Sequence, residues 1–132
     1  MPEYTYTILP EYVGGFGRVT ASSIVRIFQR AATRHSDDLG YTSKWYQNEG
    51  VAWMARKHRL KRTNPIPLEK PITVRTQVED FRRVRSLRSY ELKGPSGKAL
   101  VRGYTDWIYV DRNNGRPCRI PDELAKAFEP QF

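Results

Sequence analysis

Thr20-Ala21-Ser22-Ser23-Ile24-Val25-Arg26-Ile27-Phe28-Gln29-Arg30-Ala31-Ala32-Thr33-Arg34-His35 reads as one amphipathic helix. Thr20 opens it as an N-cap, because its hydroxyl can accept from an amide in the first turn. Ile24, Ile27, Phe28, Ala31 and His35 recur at helical spacing on one face. Ser22, Arg26, Arg30 and Thr33 fall elsewhere around the cylinder. The pattern fades through Ser36-Asp37-Asp38-Leu39, and Gly40 suits a C-terminal cap. A helix of roughly four to five turns with one apolar face needs a single broad surface to cover it.

The flanking sequence supplies strands. Tyr4 to Leu9 alternates and stops at Pro10; Glu11-Tyr12-Val13 resumes it before the loop Gly14-Gly15-Phe16-Gly17. After the helix, Tyr41 to Gly50 reads as a polar, aromatic connector. Val51 to Leu60 is a strand candidate ended by Asn64-Pro65-Ile66-Pro67. Pro71 to Val84 alternates, with Ile72, Val74, Thr76 and Val78 on one face. Arg85 to Lys93 follows and turns at Gly94-Pro95-Ser96-Gly97. Ala99 to Val110 is the last long strand, closed by Asn113-Asn114-Gly115. Pro121 and the acids of Asp122-Glu123-Leu124 open a short terminal helix. Strand, helix, four strands joined by hairpins and a final helix predict an α+β domain in which one curved antiparallel sheet wraps one long helix.

The chain has 132 residues, 39% of them hydrophobic, which suits a single domain spanning 1–132. There is no internal repeat. One cysteine, Cys118, leaves no partner for a disulfide within the chain, and no charged-then-apolar signal segment opens the sequence. Both point to a reducing compartment, most simply the cytoplasm. No apolar run reaches the ~20 residues a bilayer demands, so no membrane partner is expected. The net charge is +9, and 16 of the 23 cations are Arg. That balance favours planar recognition of phosphate or carboxylate, and equally serves a solvated surface.

Several chemistries are excluded by spacing. His35, His58 and Cys118 are isolated single residues, so no zinc site is expected. No G-x-S-x-G elbow is present, and Cys118 has no histidine near it in sequence. Gly14-Gly15-Phe16-Gly17 lacks both the dinucleotide fingerprint and the G-K-[ST] of a phosphate loop. It does run into a helix N-terminus, where the N–H groups of Phe16, Gly17 and Arg18 can converge on developing negative charge. That is the physics of an oxyanion hole for a thioester or ester carbonyl; the same residues also make a plain strand-to-helix turn. Two basic clusters, Arg56-Lys57-His58-Arg59-Leu60-Lys61-Arg62 and Arg82-Arg83-Val84-Arg85 with Arg88, suit phosphate, an acidic carrier protein or RNA. They suit equally well cross-strand pairing with Glu79, Asp80 and Glu91.

Gly17-Arg18-Val19-Thr20, Phe28-Gln29-Arg30-Ala31-Ala32 and Trp53-Met54-Ala55-Arg56 resemble the acyl-acyl-carrier-protein thioesterases and single-domain hotdog thioesterases. Asp106-Trp107-Ile108-Tyr109-Val110-Asp111, Gly115-Arg116-Pro117 and Ile120-Pro121-Asp122-Glu123-Leu124 are similar to the end of that family's first hotdog unit. The resemblance implies a hotdog fold and hydrolysis of an acyl thioester by a homodimer or homotetramer. The partner is acyl-CoA or acyl-carrier protein. It implies no separate cofactor, since coenzyme A or phosphopantetheine enters as part of the substrate. Gly17, Arg18 and Thr20 would hold the carbonyl, and Phe16, Arg82, Arg83 and Arg85 the rest of the substrate. The acyl chain would lie along the helix beneath small strand residues such as Ala99 and Gly103.

The sequence departs from the family pattern at the general base. Gly14 stands where single-domain members of one common type carry Asp, Thr20-Ala21 replaces the Asn-Asn pair that often opens their helix, and the hydratase-type Asp-x-x-x-x-His is absent. Glu49 is the candidate base, reaching a pocket edge shared with a partner subunit, and Gln29 the candidate for orienting water. His35 with Asp37 lies on the order of 20 Å from the helix start, too far to serve. Asp106, mid-strand, fits an ion pair with a cross-strand Arg. The rivals are a non-catalytic acyl-thioester binder and, less favoured, an RNA-binding β-rich domain, since the aromatics do not interleave the basic runs.

Overall fold

A computed structural model describes residues 2–7 and 18–129. Its long helix, α1 (Ala21–Asp38), begins where Thr20 Oγ1 accepts from Ser23 N at 3.1 Å. It buries Ile24, Ile27, Phe28, Ala31 and His35, the face the spacing predicts, together with Ser23 and Ala32. Among the described residues five strands form one antiparallel sheet: β1 (Glu3–Thr7), β2 (Val51–Arg62), β3 (Pro71–Arg82), β4 (Arg85–Lys93) and β5 (Ala99–Asp111). Ile72, Val74, Thr76 and Val78 of β3 point into the core as the alternation requires. Register shifts at Ala55/Lys57 and Val78/Asp80 bend the strands, which lets the sheet curve around α1.

Two sequence expectations are corrected. The stretch read as a connector contains a second helix, α2 (Ser43–Glu49), bracketed by the Thr42 hydroxyl accepting from Trp45 N and by Gly50 at φ 71°. Its cap residues were present in the sequence, but seven residues give too few turns for periodicity to register. Secondly, β2 and β3 are not a hairpin. The strand order is β1-β3-β4-β5-β2, so β2 pairs with β5 at one edge and the chain then crosses to β3. Pro65 and Pro67 keep helix and strand out of that crossing, which turns at Leu68–Lys70 with Glu69 at φ 59°, and Thr63 N and Asn64 N both donate to the Leu100 carbonyl as it leaves β2.

Among the described residues the core has two clusters. One joins Ile24, Ile27, Phe28, Ala31 and Ala32 of α1 to Ile72, Val74, Tyr90, Leu92 and Val101. The other gathers Tyr46, Val78, Tyr109, Ile120, Leu124 and Phe128 beneath the short helix α3 (Asp122–Ala127). In the first, Phe28 stacks on Tyr90 with ring centroids 4.5 Å apart.

Candidate active site

At the start of α1 the cap leaves a small donor set open. Ser23 N is taken by Thr20 Oγ1 and Ile24 N by the Thr20 carbonyl, whereas the N–H groups of Ala21 and Ser22 make no hydrogen bond among the described residues. Two amides without a partner among the described residues, at the positive end of an 18-residue helix, favour an oxygen that gains negative charge. Thr20 itself is committed: its hydroxyl also meets the hydroxyls of Ser22 and Ser23, at 3.2 and 2.9 Å. Arg18 is exposed beside this tip. Gly14, Gly15, Phe16 and Gly17 lie outside the described residues, as does the strand segment from Ile8 to Val13.

The remaining candidates lie apart from the tip within one chain. Gln29 is half-buried and shares a shallow groove with Tyr6, Arg26, Arg30, Thr33 and Arg34. Glu49 is exposed at the last position of α2. Arg82, Arg83 and Arg85 are exposed at the β3–β4 turn, where Arg83 adopts a φ of 49° and Arg82 Nε meets Asp80 Oδ2 at 3.1 Å. That turn adjoins the second core cluster, since Ile120 N donates to the Arg83 carbonyl and Tyr109 N to that of Val84. The tip and the arginine turn therefore stand at opposite ends of α1, whose length is about 27 Å at 1.5 Å per residue. Asp106 pairs with Arg56 across β2 and β5 at 3.5 Å, the structural role expected for it. Cys118 packs against the second cluster, and burial with nearby Asp111 pushes its thiol up, away from nucleophilic use.

The acyl path expected beneath Gly103 is filled. A Cβ there would lie 2.8 Å from Phe28 Cε2, 2.8 Å from the Arg59 carbonyl and 3.0 Å from Leu60 Cδ2. The missing side chain lets α1 approach the sheet and leaves no channel over that residue. Open space lies instead at the far end of α1: a cavity of about 270 Å³ walled by Ala32, Tyr46, Trp53, Val78, Phe81 and Trp107, among others. Arg88 reaches into it. The sequence grouped Arg88 with its exposed neighbours, yet it is buried, donating from Nη1 to His35 Nδ1 (3.0 Å) and Thr76 Oγ1 (3.1 Å). Strand alternation was the available signal, because Ser86, Arg88, Tyr90 and Leu92 share one face of β4. Burial first, and the guanidinium beside it second, hold His35 down at about 4, a neutral imidazole at neutral pH. No cluster of three metal-binding side chains exists among the described residues, and no helix there is long and apolar enough to cross a membrane.

A long helix wrapped by a curved antiparallel sheet in this strand order defines a hotdog-fold protein. A dihydroxynaphthoyl-CoA (DHNA-CoA) thioesterase from Staphylococcus aureus superposes with TM-score 0.88 at 18% identity, covering 96% of this chain and 87% of that one. An acyl-ACP thioesterase from Bacteroides thetaiotaomicron gives 0.81 at 18% identity, covering 90% and 49%. A provisionally assigned oleoyl thioesterase from Lactobacillus plantarum gives 0.89 at 20% identity, covering 96% and 49%. The chain thus spans about half the length of the latter two. No curated protein matches it in sequence. Residues 3–128 match the acyl-ACP thioesterase N-terminal domain, and the chain belongs to that family.

Proposed function

We propose that this chain hydrolyses an acyl thioester carried by coenzyme A or an acyl-carrier protein, with the thioester carbonyl held at the N-terminus of α1. One observation carries the reading: the open Ala21 and Ser22 amides at the tip of the buried helix, in a chain matched over residues 3–128 to an acyl-ACP thioesterase domain. Water adds to the carbonyl carbon, and the oxygen's growing charge is met by those amides; the N–H groups of Phe16 and Gly17, outside the described residues, are the further donors the sequence leads one to expect. The tetrahedral intermediate then expels the thiolate, which takes up a proton and leaves a carboxylic acid. Glu49 accepts the proton of the attacking water and Gln29 orients that water.

These groups are separated within one chain, and a second copy reunites them. The β2 edge opposite β5 pairs with nothing among the described residues. Two such edges running antiparallel would set the Val51 end of one copy beside the Arg62 end of the other. The Val51 end carries the Arg82–Arg85 turn and Glu49; the Arg62 end lies by the first half of α1. Arg82, Arg83 and Arg85 of one copy would then hold phosphate or an acidic carrier for the carbonyl site of the other.

Thiol release from a panel of acyl-CoA and acyl-carrier-protein thioesters tests the reading. Turnover above buffer is expected, Gly17→Val should abolish it, and Glu49→Gln should cut it at least tenfold. Tight binding with no release would assign a non-catalytic acyl-thioester binder instead.

A further inference from the structure

Arg88 is a buried cation without a counter-charge. It is 5% exposed, and no carboxylate lies within ion-pair distance among the described residues. Its two hydrogen-bond partners are neutral: His35 accepts through Nδ1, and the Thr76 hydroxyl, which donates to the Ser89 carbonyl at 2.9 Å, can only accept. The guanidinium carbon lies 5.6 Å from the centroid of Phe128, which softens the charge without neutralising it. Both bonds leave from Nη1; Nε and Nη2 make none among the described residues, although the side chain lines the cavity. A buried guanidinium with three of its five donors unused normally meets a carboxylate or phosphate.

We propose that the cavity at the C-terminal end of α1 binds a carboxylic acid, its carboxylate on the free donors of Arg88 and its apolar body among Trp53, Phe81 and Trp107. The size limits the body to one ring or a short chain, since ~150 Å³ already accommodates benzene and this cavity measures about 270 Å³. Aromatic walls and a single buried cation select an amphiphilic acid over a phosphate-rich ligand. Asp37 and Arg112 also line the cavity, and both side chains are exposed, one of each sign, so they add no net field at the entrance. Two sources share this chemistry: a free acid, or the distal carboxylate of an acyl group still joined to its carrier. The site is independent of the hydrolysis proposed above, because occupancy requires no turnover.

Trp53 and Trp107 line the cavity and report occupancy by fluorescence. The full chain is titrated with benzoate and hexanoate and, as uncharged counterparts, benzyl alcohol and 1-hexanol. The acids should bind at least tenfold tighter than the alcohols. Arg88→Met should erase that preference, and Ala52→Phe, which narrows the cavity and keeps the guanidinium, should weaken acids and alcohols alike. Should Arg88→Met fail to fold by circular dichroism, the acid–alcohol contrast and Ala52→Phe decide the matter. Titrating glutaryl-CoA against pentanoyl-CoA separates the sources: a glutaryl preference lost in Ala52→Phe marks an acyl group, and equal binding marks a free acid. Acids that bind no tighter than alcohols, or equally well to folded Arg88→Met, would overturn the proposal.

Discussion

His35 accepts from Arg88 Nη1, so its own proton resides on Nε2 and the imidazole is held neutral in the fold. Its affinity for a proton falls from an ordinary 6.5 to about 4, chiefly through burial. The unfolded chain therefore binds the extra proton first as pH falls, and stability should be full above about 6.5 and decline between 6.5 and 4. The loss is on the order of 2–3 kcal/mol, and His35→Gln should flatten it; urea midpoints measured from pH 7.5 to 4.5 check this. A decline of equal size in His35→Gln would assign the pH dependence to other groups. Gly103 tests packing at the same scale. Gly103→Ala forces a methyl to within 2.8 Å of Phe28 and of backbone at Arg59, so unfolding free energy should drop by ~1–3 kcal/mol. His35 was legible as a core-facing residue, since helical spacing alone placed it there. Arg88 was not, because its side-chain type argues for solvent while only its register argues for the interior.

Among the elements, α1 carries both the fold and the proposed chemistry. Its first turn depends on one hydroxyl: Thr20→Ala removes the acceptor of Ser23 N and should cost ~1 kcal/mol of stability. Fraying the tip should also disperse the Ala21 and Ser22 amides, lowering thiol release, while Thr20→Ser restores both. Thermal melts and steady-state rates on the three proteins check it, and a melt that falls with the rate untouched would separate the cap from catalysis. The long elements were legible because each repeats its period several times, as α1 and β3 do. The seven residues of α2 were not, because one amphipathic turn among Trp45, Tyr46 and two polar neighbours resembles a loop. The Gly14–Gly17 loop, which the proposed carbonyl site also invokes, falls outside the described residues.

For the whole molecule, the strand order could not be read from the chain. Hairpin turns at Gly94–Gly97 announce that β4 and β5 are neighbours, but nothing local announces that β2 returns to pair with β5. That return leaves β2 at an edge, with Met54 55% exposed on it. Sedimentation should show a dimer at micromolar concentration, and Met54→Asp should shift it toward monomer with loss of turnover. An active monomer would remove the need for a shared site. The carbonyl's position decides the account as a whole, and a crystal structure with an acyl-CoA analogue bearing a ketone in place of the thioester measures it. The ketone oxygen should lie about 3 Å from the amide nitrogen of Ala21 or Ser22. A ketone resting in the cavity at the other end of α1, or in open solvent, would contradict it.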